Sequence, residues 1–288
     1  MKICMACDLR FDGAGWQCPS CHYTPEIIAG HPEFSSELAE TDTGFQAGYF
    51  DQLAALETSS FWFRSRNRLI SSIIELHFRK TENFFEIGCG TGFVLSGIEK
   101  RFPHLSLSGS EIYTAGLVHS AKRLKSAELF QMDARHIPFE DQFDVIGAFD
   151  LLEHVEDDNQ VLRQIYQAVK PGGGIILTVP QHPFLWSRLD EYACHVRRYR
   201  RRDLKARTEG AGFTVVRITS FVSLLLPLMM LARLKKRRPA PGCDIMSELK
   251  IGGFSNALLE KILDLEIRTI RSGGSFPFGG SLLLVARK

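Results

Sequence analysis

The chain has little of several things that would settle its class at once. Its net charge is small: 35 Lys and Arg against 33 Asp and Glu leave +2 over 288 residues, little for a protein whose main partner is nucleic acid. No apolar run approaches the roughly 20 residues that span a bilayer; the best, about 14 residues in "FVSLLLPLMMLARLKKRRP", is interrupted by Pro227. The first twenty residues carry charges and cysteines where a secretory signal would be apolar, so the chain is expected to stay in the cytoplasm. Internal repeats and low-complexity tracts are absent as well. What remains is an ordinary globular composition, 44% hydrophobic, long enough for one large domain and an appendage.

Cysteine is not scarce, and its placement is uneven. Four of seven fall in the first 21 residues, as Cys4-x-x-Cys7 and Cys18-x-x-Cys21. Two such knuckles bring four soft thiolates to a tetrahedron, the arrangement a structural Zn2+ prefers. A redox pair or two disulfides are the alternatives, and a cytoplasmic setting disfavours the second. Gly13 and Gly15 permit the reversal between knuckles. His22 is a neighbour, because four cysteines already complete the shell. Residues 1–24 thus form a zinc-ribbon-like segment, and 25–58, with weak periodicity, a linker and N-terminal cover.

The main domain is expected over 59–288. "SSFWFRSRNRLISSIIELHF" predicts a helix capped by Ser59 or Ser60, with Phe63, Leu69, Ile70, Ile73, Ile74 and Phe78 on its apolar face and Arg64, Arg66 and Arg68 on a solvated side. From residue 83, short apolar runs alternate with helical patterns, the signature of a parallel sheet covered by helices on both faces. Strands are predicted at 83–87, 105–110, 127–132, 143–149, 174–180, 213–220 and 281–287, and helices at 91–101, 113–125, 158–170 and 201–211. "KPGGG", from Lys170, ends the fourth of these helices. A helical insert over 221–278 precedes the last strand and includes an amphipathic helix at 255–271.

Chemistry gathers at the strand ends. "FFEIGCGTGF" places Gly88, Gly90 and Gly92 directly after the first strand. A dinucleotide fingerprint reads G-x-G-x-x-G; here the third glycine comes one residue early, and Glu86 would crowd a pyrophosphate. The ligand expected is a nucleoside without phosphates. Glu111, ending the second strand, can accept from both hydroxyls of a ribose, and Asp133, after the third, from the exocyclic amine of a purine.

With "EIGCGTG" and "FDVIGAFDLLEHVEDD", the chain resembles the class I S-adenosylmethionine-dependent methyltransferases over about residues 83 to 220. The resemblance implies a Rossmann-like, seven-stranded sheet with its last strand antiparallel between its neighbours, and S-adenosylmethionine as cofactor. It implies Glu86 and the three glycines near the methionine part, Glu111 on the ribose, Asp133 with a backbone group of Ala134 at the adenine, and Asp150 lining the pocket. The "HVRRY" loop and the tail "FPFGGSLLLVARK" also resemble a bacterial methyltransferase subgroup set beside lipid and surface-glycan synthesis.

The acceptor side is less determinate. Methyl transfer is an in-line displacement in which alignment is the main contribution, and a hydroxyl nucleophile also needs a base. His154, His182 and His195 are the candidates, and the residues do not choose among them. Seven basic residues between 197 and 207, Arg197 and Arg198 foremost and with Tyr199 beside them, suit an anionic substrate. The apolar stretch and basic run over 221–238 could be a buried helix or a peripheral contact with an anionic membrane. The expected function is methyl transfer to a small-molecule or lipid/glycan-linked acceptor, at O or C. The alternative is RNA, since a ribbon joined to this domain also resembles the ribosomal guanine methyltransferases. Against it, only Lys2 and Arg10 are basic before residue 22. No Asp/Asn-Pro-Pro-aromatic turn follows the fourth strand, which reads into Asp150-Leu151-Leu152-Glu153. A binding protein without transfer activity is a third reading, and the oligomeric state is left open.

Overall fold

A computed structural model describes residues 1–39, 47–235 and 252–288. Two short ladders come first: β1 (Lys2–Ile3) with β2 (Arg10–Phe11), and β3 (Ile27–Ile28) with β4 (His31–Pro32). Next are α1 (Ser36–Ala39), α2 (Ala47–Glu57) and α3 (Phe61–His77). The alternating region runs β5 (Asn83–Ile87), α4 (Phe93–Arg101), β6 (Ser106–Glu111), α5 (Thr114–Arg123), β7 (Glu128–Gln131), β8 (Phe143–Phe149), α6 (Asp158–Ala168) and β9 (Val169–Pro180). It closes with α7 (Arg188–Tyr192), α8 (Arg201–Gly210), β10 (Thr214–Phe221), α9 (Leu226–Lys235), α10 (Gly253–Arg271) and β11 (Ser281–Arg287).

The main sheet has the order β10-β11-β9-β8-β5-β6-β7, and β11 runs antiparallel between β9 and β10. Both faces are covered, and the apolar side chains of the central strands alternate between two cores. Phe84, Val145, Leu283 and Val285 face α3, α4 and α10; Phe85, Ile146, Leu282 and Leu284 face α6 and α8. Strand order reverses at β5, with β6 on one side and β8 on the other. Open parallel sheets bind ligands beyond the carboxyl ends of the strands at that point.

Several local expectations are corrected. Helix α6 stops at Ala168 and the "KPGGG" stretch lies inside β9, because Val169 is already extended (φ −76°, ψ 134°) and Pro171 disfavours helix at residue 170. Ser60 occupies the N-cap of α3 without a side-chain bond; the Phe61 amide donates instead to Asn256 Oδ1 of α10 at 2.8 Å. Arg64 and Arg68 are not a solvated face, since they pair with Glu260 and Asp264 of α10.

The cysteine segment docks on the sheet's β7 side. Ile3 N donates to Pro138 O at 3.0 Å, Arg10 pairs with Glu140, and Trp16 meets Phe34, Phe130 and Phe139 edge-on at 4.7 to 5.8 Å. The segment therefore shares the larger domain's core. Residues 25–58 hold a hairpin and two helices in addition to loop. Among the described residues, no helix is long and apolar enough to cross a membrane. The side chains of the basic run 233–238 lie outside the described residues.

Candidate active site

The glycine turn at the end of β5 is left-handed three times, with φ of 71°, 53° and 72° at Gly88, Gly90 and Gly92, a conformation that side chains with a Cβ rarely adopt. A Cβ on Gly88 would strike Leu151 and one on Gly92 would strike Ser120, while one on Gly90 would meet nothing within 4 Å. Gly88 and Gly92 thus fit the loop to its neighbours, and Gly90 faces the open side where a ligand can approach the backbone.

Three carboxylates surround this turn. Glu111, ending β6, accepts from Gly90 N (3.0 Å), Ile112 N (2.9 Å) and Tyr113 N (3.2 Å). Burial raises its pKa, against those three bonds. A carboxylate offers about four acceptor positions, so one is left for a ribose hydroxyl. Glu86 is 2% exposed, its Oε2 has no hydrogen-bond partner, and burial holds its carboxyl well above the ordinary range. Glu57 of α2 accepts from Thr91 Oγ1 and from Arg123 (2.6 Å), clasping the loop from the cover side.

An orphaned buried acceptor beside an open glycine backbone fits the cationic ammonium of the S-adenosylmethionine methionyl group. A buried carboxylate oxygen without a donor is costly until such a cation satisfies it. Farther along the edge, Asp133 is buried and bonded to Arg135 through Nε (2.9 Å) and Nη2 (2.6 Å). Its carboxylate is therefore engaged, and an adenine amine would have to share it. Ala134 follows, buried.

Asp150, after β8, takes a positive φ of 55° and pairs with Arg66 from α3. Arg66 was expected in solvent; instead its guanidinium stacks on Trp62 at 4.6 Å and reaches the strand ends. It lies near enough to Glu86 and Glu153 to lower both of their pKa values against burial.

The acceptor-side candidates separate into two groups. The segment after α7 returns beside β9 and the β8 loop: Val196 N donates to Glu153 O (2.7 Å) and Tyr199 N to Pro180 O (2.9 Å). This brings His195 against His154, their rings perpendicular at 4.7 Å. Burial and the nearby His195 depress His154 to about 4, so it is a neutral imidazole at pH 7. His195 Nδ1 lies 3.0 Å from Asp190 Oδ1. His182 stands apart, at the end of β9, stacked with Phe184 (4.9 Å) and Phe278 (5.8 Å); burial and Arg198 lower its pKa.

The anionic-substrate role expected of Arg197, Arg198 and Tyr199 finds no free group. Arg197 pairs with Asp158 (3.0 Å) and Glu156 (3.3 Å), and Arg198 with Asp190 (2.6 Å). The Tyr199 hydroxyl donates to Asp158 Oδ2 at 2.6 Å, and burial together with that carboxylate raises its pKa. Arg207 also pairs with Asp158, and Arg201 donates to the Ile218 and Phe276 carbonyls. Arg197, Arg198, Arg201 and Arg207 thus staple the fold, whereas Arg202 and Lys205 keep exposed side chains beside Asp203 and Glu209.

At the N-terminus, Cys4 and Cys21 sulfurs are 3.5 Å apart and those of Cys7 and Cys18 3.7 Å. The four ligand atoms lie within 4.8 Å of one another. A Zn–S bond of about 2.3 Å places tetrahedral sulfurs roughly 3.8 Å apart, so the set fits Zn2+ and holds no disulfide. Both knuckles close alike: Asp8 N donates to Cys4 O and His22 N to Cys18 O, with φ of 57° and 61° at Asp8 and His22. His22 is thereby a turn residue.

Comparison with known proteins bears on this arrangement. A family model described as a methyltransferase domain matches residues 59–218. Demethylmenaquinone methyltransferase of Thermotoga maritima is 29% identical over 113 residues, 39% of this chain and 48% of that protein. Ubiquinone biosynthesis O-methyltransferase of Aeromonas salmonicida is 30% identical over 107 residues, 35% of this chain and 45% of that one. The chain spans about half the length of the curated relatives it matches. Among solved structures, phosphoethanolamine N-methyltransferase 2 of Haemonchus contortus with S-adenosyl-L-methionine superposes with a TM-score of 0.52 at 17% identity, covering 77% of this chain and 52% of that one. That likeness is one of fold.

Proposed function

Because the chain belongs to the methyltransferase-domain family and has the class I S-adenosylmethionine-dependent fold, we propose that it methylates a small-molecule or lipid-linked acceptor at oxygen or carbon. The observation that carries the cofactor half is the open Gly90 backbone between Glu111 and the orphaned Glu86 Oε2. When bound, S-adenosylmethionine supplies an electrophilic sulfonium methyl. Glu111 orients the ribose while keeping Gly90 in place, Glu86 accepts from the methionyl ammonium, and Arg66 balances the charge of Asp150. Tyr49 of α2 against Tyr192 of α7, 4.6 Å between rings, ties the cover to the acceptor-side loop and helps exclude water.

Two observations support the acceptor class. Two of the curated relatives are named a demethylmenaquinone methyltransferase and a ubiquinone biosynthesis O-methyltransferase. The exposed Leu228, Met230 and Leu231 of α9 suit an apolar tail or the membrane surface that carries it. The four-cysteine segment is read as a structural Zn2+ site that fixes Trp16 against the β7 side of the sheet.

The test incubates purified protein and S-adenosylmethionine with catechol and hydroquinone acceptors, with and without a prenyl tail. Formation of S-adenosylhomocysteine and a methylated ring above the blank is expected. Cofactor binding with no turnover of any ring acceptor would remove this acceptor class.

A further inference from the structure

Glu153 is the least explained group near the site. It is 0% exposed and neither carboxylate oxygen has a hydrogen-bond partner. Burial and the neighbouring Asp150 hold its carboxyl well above the ordinary range. An isolated buried carboxylate is costly, and neither the fold nor the cofactor site uses it. Yet it is aimed at two imidazoles: ligand atoms of Glu153, His154 and His195 all lie within 4.8 Å of one another.

The surroundings are those of a ligand set. Asp190 is buried and accepts from Arg198 Nε at 2.6 Å and Nη2 at 3.0 Å, a two-pronged ion pair that keeps it a carboxylate. An ionised carboxylate only accepts, so His195 Nδ1 must donate, and Nε2 carries the lone pair. A carboxylate that fixes the tautomer of a histidine in this way is the usual outer partner of a metal-bound imidazole. His154 meets His195 ring to ring at 4.7 Å, and a ring nitrogen of each lies within the cluster.

We propose that Glu153, His154 and His195 bind a divalent transition metal on the acceptor side, with Asp190 as the positioning residue. Two imidazoles and one carboxylate select borderline ions such as Mn2+, Fe2+, Co2+ or Zn2+ and leave coordination positions open. Bonds of about 2.0–2.2 Å draw ligand atoms to roughly 3–4 Å apart, within reach of side-chain rotation here. An open position would take an acceptor hydroxyl and lower its pKa. Its proton leaves to solvent, the oxygen–methyl bond forms as the sulfur–methyl bond breaks, and neutral S-adenosylhomocysteine departs. That use of the metal rests on the methyl-transfer reading; the site itself does not.

The test is Mn2+ binding to the full chain, followed by electron paramagnetic resonance of the free ion after mild chelation. Mn2+ is a hard ion with little affinity for four thiolates, so the cysteine cluster does not interfere. One Mn2+ per chain is expected, lost in Glu153→Gln and in His195→Asn. Asp190→Asn should weaken it by about 10–100-fold. With Zn2+ filling the cysteine cluster, Co2+ should give weak visible bands free of thiolate charge transfer, absent from the same variants. His195 is partly exposed, so that variant should fold even if Glu153→Gln does not, and melting temperature checks both. No stoichiometric Mn2+ in the parent, or unchanged binding in a folded His195→Asn, would overturn the site. Calorimetry of S-adenosylmethionine without metal tests the cofactor reading separately.

Discussion

Replacing Glu111 by Ala probes the cofactor site where its geometry is most constrained. The carboxylate fixes the Gly90, Ile112 and Tyr113 amides at 2.9 to 3.2 Å and, in this account, also receives a ribose hydroxyl. A hydrogen bond to a charged group contributes about 1.5–3 kcal/mol net. Losing the one to ribose should therefore raise the Kd for S-adenosylmethionine roughly 10- to 150-fold. Release of the Gly90 loop adds to that, because the turn must be re-formed on binding. Removing the acceptor of three amides also costs about 1–3 kcal/mol of stability for any that stay buried, a fall of several degrees in melting temperature at about 2–4 °C per kcal/mol. Calorimetry with S-adenosylmethionine and S-adenosylhomocysteine measures the first effect and thermal unfolding the second. Zinc content should not change, since the bonds of the Glu111 carboxylate run to Gly90, Ile112 and Tyr113 and none reaches the cysteine knuckles. A folded Glu111→Ala protein with the parent's Kd would remove Glu111 from the site and refute the reasoning.

Other perturbations reach other parts of the account. Glu86 has a raised pKa and must be ionised to accept from the ammonium, so cofactor affinity should climb as pH rises from its ordinary value near 4.5. Binding should release a proton in that window; calorimetry in buffers of different ionisation enthalpy reads it, and a buffer-independent enthalpy contradicts it. His154 falls from 6.5 to about 4, so the unfolded chain binds the proton more readily and stability rises with pH across that interval. The span is worth about 3 kcal/mol as an upper figure, and His154→Gln should flatten the denaturation curve between pH 4 and 6.5. Arg66→Met strips Asp150 of its partner and should cost about 2 kcal/mol, with part returned by Asp150→Asn in the double variant. Cys18→Ser should abolish Zn2+ in a dye-release assay and shift the Trp16 emission towards that of exposed indole, while the sheet still unfolds cooperatively.

What was legible in the sequence had a local period or a local stop. Leu282 to Ala286 reads as an unbroken apolar run, and Phe84 to Ile87 and Phe143 to Phe149 as apolar runs broken only by Glu86 and by Asp144 and Gly147; the structure finds strands at all three. The glycine turn, the acids at the ends of β5 and β6, and the cysteine spacing are likewise patterns within thirty residues. The misreadings come from long-range partners. Arg66 meets Asp150 84 residues away, Glu57 meets Thr91 across 34, and Arg64 meets Glu260 across 196; no periodicity encodes those pairs. The basic run suits an anionic substrate in sequence because its carboxylate partners, Asp158 and Asp190, sit in neighbouring elements. Glu153 was passed over as part of a turn, although a carboxylate next to a histidine, with a second histidine on the returning loop, was a signal that could have grouped them.

The central claim is methyl transfer to a small or lipid-linked acceptor. Its most direct test labels a lysate of the source organism with methyl-tritiated S-adenosylmethionine and the purified protein, then separates lipid extract, nucleic acid and small solutes. The account predicts protein-dependent counts in the organic or small-solute fraction, lost with Glu111→Ala. Counts confined to RNA, or none in any fraction despite tight cofactor binding, would contradict it.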